Sequence, residues 1–220
     1  MAAPLMLLTV VAIALALAIM VIASFAKNYF LLKVLAGAVA LGVLVYVILL
    51  LASSLNSHEK ILALNEPKQF CGFYLDCHMH VAVTSVSKTK TISGPGGVRA
   101  ANGIFYVVTV KVFNDARRAT IGLLEPQAFV TDQTGKQYER VDEAEQLLPG
   151  STTAFDQRIG PEASFAKTLV FDLPERTTDP TLQVNEGYRI DRWLELFLVG
   201  DDDSLLHKKT KFRLEGPAGN

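Results

Sequence analysis

Two uncharged apolar runs at the amino terminus constrain this chain more than anything else in it. Met1 to Ala26 carries no charged side chain and is almost wholly Leu, Val, Ala, Ile and Met. Lys27 and Lys33 bracket a short connection, and Val34 to Ser57 is again free of charge. Each run is about 20 residues or longer, enough to cross a hydrocarbon core of about 30 Å as a helix. Only a helix or a closed barrel can cross, because backbone N–H and C=O groups find no water there. The pattern predicts a 1–57 anchor of two transmembrane helices, about 4–26 and 34–55, joined by a short cytoplasmic turn.

Ser24-Phe25-Ala26 offers a small-residue cleavage site. The run nevertheless lacks a basic n-region, and it exceeds the roughly 7–15 apolar residues of a signal peptide, so it is read as a retained helix. The two lysines at the turn face the cytoplasm by the positive-inside rule. This predicts a multi-pass protein of the cell membrane whose carboxy-terminal part lies on the far side.

About 160 residues follow Lys60, one domain's worth and enough for a sizeable core. The net charge of −1 lacks the basic excess of a nucleic-acid surface. The two cysteines, Cys71 and Cys77, suggest a disulfide if the compartment is oxidising.

Residues 58–78 read as a juxtamembrane linker, in which Ile61 to Leu64 extends the second helix until Pro67 stops it. Phe70, Phe73 and Tyr74 serve either as interfacial anchors or as cover for one end of the folded domain. From His78 the apolar period becomes two, with Val81, Val83 and Ser85 on one face of a first strand. The strongest strand is Gly103 to Asn114. Ile104, Tyr106, Val108, Val110 and Val112 line one face, which suits an antiparallel sheet packed on one side. Gln127 to Thr131, a turn at Asp132 to Gly135, and Lys136 to Arg140 form a hairpin. Phe165 to Pro174, Trp193 to Val199 and Leu205 to Leu214 read as later strands, and 215–220 as a frayed tail. Seven or eight short strands with little helix argue for a two-sheet sandwich over 79–214.

The strand ending in Asn114, the Phe129, Asp132, Gly135 and Tyr138 hairpin, and Leu169-Val170-Phe171-Asp172-Leu173-Pro174 occur together in a known group. The region from Val81 to Leu214 resembles bacterial immunoglobulin-like domains of unknown function, found outside the membrane behind a lipid or helix anchor. The Gly160-Pro161 order departs from that family's Pro-Gly turn, and the helix pair and the Cys71–Cys77 segment lie outside its pattern. The resemblance implies an immunoglobulin-like sandwich with a binding or scaffold role, and it supplies no catalytic residues.

Cys71, Cys77, His78, Met79 and His80 form the one dense cluster of ligand-type side chains. Thiolate, imidazole and thioether together suit a soft metal such as copper. The alternatives are two free thiols, or a disulfide closing a small loop with His78 and His80 on opposite strand faces. Asp201-Asp202-Asp203 lacks the ligand spacing of a calcium loop and reads as a solvated turn. Ser93 to Gly97 lacks a phosphate-loop ending, and Trp193 reads as core. Neither a nucleophile elbow nor a zincin motif is present, so a non-enzyme without cofactors is expected. Its expected partners are the lipid bilayer and another envelope protein or a small ligand, with no nucleic acid. Self-association is expected to run through the small residues Ala36 to Gly42 of the second helix.

Overall fold

A computed structural model describes residues 2–71, 77–149 and 153–215. In chain order the elements are α1 (Ala2–Phe25), α2 (Tyr29–Leu55), β1 (Lys60–Leu62), β2 (Lys68–Phe70), β3 (Met79–Gly94), β4 (Gly97–Asn114), β5 (Gln127–Thr131), β6 (Gln137–Tyr138), α3 (Asp142–Glu145), β7 (Ser164–Leu173), β8 (Thr181–Asn185), α4 (Arg189–Glu195) and β9 (Thr210–Arg213). They fall into two units: residues 1–58 with 189–209, and residues 59–188 with 210–220.

In the first unit, α1 and α2 pack against each other, and most side chains on both are exposed. The connection is shorter than the expected 27–33 turn. Lys27 takes a left-handed φ of 54°, and the Asn28 side chain accepts a hydrogen bond from Leu31 N at 3.1 Å. That cap starts α2 at Tyr29. Lys33 therefore sits inside the helix, because a lysine stem tolerates an apolar setting when its ammonium can reach the rim. A Cβ added at Gly37 or Gly42 would meet nothing within 4 Å, so these small residues are not used to seat α1.

Residues 189–209 do not form the expected Trp193 to Val199 strand. They fold as α4 followed by turns, with Phe197 N bonded to Leu194 O and Leu198 N to Glu195 O, each at 3.0 Å. The segment Trp-Leu-Glu-Leu-Phe-Leu has no β-branched residue before Val199, so no local stiffness favours an extended backbone. Trp193, expected in the core, is 64% exposed. Of the Leu205 to Leu214 strand only Thr210–Arg213 forms.

The second unit is a two-sheet sandwich. One sheet has the order β1-β9-β8-β5-β6, the other β2-β3-β4-β7. All pairings are antiparallel except β1 with β9. The supposed 58–78 linker thus supplies a strand to each sheet. Ile61 to Leu64 does not continue α2, because Leu62 is fully buried against the core. A parallel pairing between two distant segments leaves no local trace in sequence.

The core follows the period-two face of each strand. Tyr106, Val108, Val110 and Val112 of β4 meet Val81 and Val83 of β3 and Leu169, Phe171 and Leu173 of β7; Leu182, Val184, Val130 and Phe212 come from the other sheet. A bulge between Val83 and Ser85 shifts the face by one residue. Val86, not the expected Ser85, then packs on the core. Phe105 and Val170 point the other way and are covered by Ala144 of α3. Beside them, buried Glu145 accepts from Arg140 Nε at 2.9 Å and Nη2 at 2.6 Å, and from Val170 N at 3.1 Å. Glu215 is not frayed: its carboxylate accepts from Lys88 Nζ and, at 2.6 Å, from Tyr106 OH. Residues 216–220 of the expected tail lie outside the described residues.

Candidate functional site

The cysteine–histidine cluster lies in the connection between β2 and β3. These strands pair antiparallel with Phe70 opposite Met79 and Gln69 opposite His80. Cys71 and Cys77 are joined by a disulfide, and Gln69 Nε2 donates to Cys77 O at 2.5 Å. Phe70 is buried in the core; Phe73 and Tyr74 lie outside the described residues.

Strand alternation then sorts the next three side chains. Met79 turns inward and is 4% exposed. His78 and His80 both turn outward, correcting the expectation of opposite faces, since residues two apart on a strand share a face. Between them stands Asp115, one residue past the end of β4. His78 Nδ1 lies 2.6 Å from Asp115 Oδ1, and His80 Nε2 lies 3.0 Å from Oδ2. Asp115 N also donates to His78 O at 3.0 Å.

His80 stacks on Phe113, its cross-strand partner, with ring centroids 4.7 Å apart and planes 8° from parallel. Lys111 Nζ stands 5.6 Å from the centre of the same Phe113 ring. Hydrogen bonds from His78, then His80, hold the Asp115 carboxyl below the usual carboxylate range. The outer face here combines one anion, two imidazoles, an aromatic ring and an ammonium.

Asp115 is held in place by Asn114. That side chain is 1% exposed. Its Nδ2 donates to Ala119 O at 2.8 Å, Ile159 O at 3.1 Å and Gly160 O at 3.0 Å, and its Oδ1 accepts from Ala116 N at 2.8 Å.

The five-residue soft-metal set does not come together. The two sulfurs are bonded to each other, Met79 is in the core, and only the histidines remain outside with Asp115. Among the described residues, no group of three or more His, Cys, Asp or Glu is arranged to hold a metal ion. The Asp201 to Asp203 segment is a turn closed by Asp203 N on Asp201 Oδ1 at 2.9 Å and by Lys209 on Asp203 at 2.6 Å. Ser93 to Gly97 makes the β3–β4 hairpin turn. A shallow depression beside it, between Val98, Arg99, Glu143 and Leu147, carries no sequence signal.

The family described as Domain of unknown function (DUF4352) matches residues 76–192, just over half of the chain. The chain belongs to this family. The DUF4352 match takes in β3 to β8, with His78, His80 and Asp115, and stops inside α4. The helix pair, Cys71 and residues 193–209 lie beyond it. No curated protein matches the sequence. Among solved structures, a conserved hypothetical protein from Bacillus anthracis shares 18% identity over 57% of this chain and 91% of its own, with a TM-score of 0.43. The secreted protein MPT63 from Mycobacterium tuberculosis shares 11% over 72% and 99%, with a TM-score of 0.44. An uncharacterized beta-sandwich protein from Clostridium difficile shares 11% over 73% and 97%, with a TM-score of 0.40.

Proposed function

We propose that this chain is a membrane-anchored, non-catalytic immunoglobulin-like module on the outer side of the cell membrane, where it binds another envelope protein or a small ligand. The observation that carries the anchor is the helix pair. Pro4–Phe25 and Tyr29–Leu55, of 22 and 27 residues, are apolar and long enough to span, and almost none of their residues is buried within the chain. Lys27 in the connection and Lys33 near the start of α2 support an orientation with the turn inside and the sandwich outside.

Strand order supports the immunoglobulin-like reading. β3, β4 and β7 follow the A-B-E order of such a sandwich, and β9-β8-β5-β6 follow G-F-C-C′. The binding face is the outward patch of His78, His80, Lys111, Phe113 and Asp115.

The test is cross-linking in intact cells, with identification of what is captured. Wild type should capture a defined envelope component, and a His80→Ala, Phe113→Ala double variant should lose it while remaining folded. Recovery of the chain alone refutes the binding reading, and capture only of itself assigns self-association through α2 instead. Release of the protein by alkaline carbonate refutes the anchor. Survival of the sandwich against protease added outside spheroplasts refutes the orientation.

A further inference from the structure

Residues 189–209 interrupt the sandwich between β8 and β9, and they join the helix pair rather than either sheet. Three hydrogen bonds fix them along α2. Lys208 N donates to Ser57 Oγ at 2.8 Å, just past the helix end. Ser54 Oγ and Ser204 Oγ lie 3.4 Å apart in a buried contact. Tyr46 OH donates to Phe197 O at 2.6 Å.

These contacts set a depth scale. Tyr46 lies nine residues before Leu55, about 13 Å along the axis at 1.5 Å per residue. A 27-residue helix is about 40 Å long and overhangs a hydrocarbon core of about 30 Å by about 5 Å at each end. The Phe197 carbonyl is thereby held about 8 Å inside the apolar layer, within the depth to which interfacial helices sink.

Side-chain chemistry follows the same gradient. At the level of Ser54 to Ser57 stand Asp203 and Lys209, paired at 2.6 Å, with Lys208 beside them. Toward Tyr46 the exposed side chains are Trp193, Leu194 and Phe197; Leu205 and Leu206 add to the apolar surface. Arg192 and Glu195, the charged residues beside Trp193, each make an interaction. A free turn in water would not present a tryptophan, a phenylalanine and three leucines outward together.

We propose, resting on the anchor reading above, that residues 193–206 are a wedge at the membrane surface whose Trp193 and Phe197 end is embedded in lipid. They enter the outer leaflet alongside α2 and bury Trp193 and Phe197 among acyl chains. The segment is a third membrane contact, made by the chain between β8 and β9. It leashes the sandwich to the bilayer at a second point along the sequence.

Trp193 is the sole tryptophan, so it reports its own surroundings. The full chain is reconstituted into phosphatidylcholine vesicles, checked by flotation, and excited at the red edge where tyrosine does not absorb. Lipids brominated on the acyl chain should remove most of the Trp193 emission, and aqueous acrylamide should have little effect. A Trp193→Phe, Phe197→Trp variant moves the reporter toward Tyr46 and should be quenched most by bromine deeper in the chain. A chain that floats with its tryptophan open to acrylamide and untouched by brominated lipid overturns the wedge and leaves the anchor standing. Protection from both quenchers also overturns it, since a protein surface then covers the site. A chain that fails to float loses anchor and wedge together.

Discussion

Replacing Asn114 by alanine tests how the candidate site is held. The substitution removes three acceptor contacts of Nδ2 and one donor to Oδ1, two of the four being buried and two partly buried. An unmade buried hydrogen bond costs about 1–3 kcal/mol, and a partly solvated one recovers much of that from water. Taking about 1 kcal/mol for each buried contact and about 0.5 for each partly buried one gives a loss of about 3 kcal/mol. Against a typical total of about 5–15 kcal/mol, that is a large share. With a urea m-value of about 2 kcal/mol/M, the unfolding midpoint falls by about 1.5 M. Pulse proteolysis of the detergent-solubilised chain reads the sandwich without interference from the helices. The loop carrying Asp115 should also open in hydrogen exchange, because Asn114 ties residues 116 and 119 to 159 and 160. A midpoint shift below about 0.5 M, with unchanged exchange at Asp115 and Ala116, refutes this account of Asn114 as the clamp.

A carboxyl depressed in the folded state adds stability above its unfolded pKa, and that contribution fades as pH falls through the lowered value. Asp115, lowered by His78 and His80, belongs to this class. Asp115→Asn should therefore flatten the loss of stability on acidification; an unchanged slope counts against the shared carboxylate. Cys71→Ser opens a short loop and should cost about 2 kcal/mol, and mass spectrometry of the unreduced chain should find Cys71 and Cys77 bridged. Glu145→Ala takes a shared carboxylate from Arg140, Val170 N and buried Lys167, which lies 4.0 Å away. Its cost should reach about 3–5 kcal/mol in denaturant melts, and Glu145→Gln, which keeps an acceptor for Val170 N, should cost less.

The candidate site was half legible. The density of Cys71, Cys77, His78, Met79 and His80 marked the segment, but nothing in the sequence singled out Asp115, the residue that organises it. Asp115 reaches the histidines because Met79 pairs with Asn114 across the β3–β4 hairpin, and that register depends on bulges at Val83/Ser85 and Thr89/Thr91. Bulges answer to packing on both faces, which a single strand's pattern does not contain. β8 went unread for a similar reason: Thr181 to Asn185 offers only Leu182 and Val184 as inward apolar residues. Its place in the middle of a sheet comes from its neighbours.

Patterns that repeat within one element survive in sequence. The apolar runs gave both helices, and period-two alternation gave β4, β5, β7 and the faces they bury, because each follows from backbone geometry over a few residues. Pairings between remote segments did not survive. Lys60–Leu62 lies parallel to Thr210–Arg213, and residues 189–209 leave the sandwich for α2. Hydrophobic burial is non-directional: an apolar residue such as Leu62 does not announce what will cover it, and only the assembled fold decides.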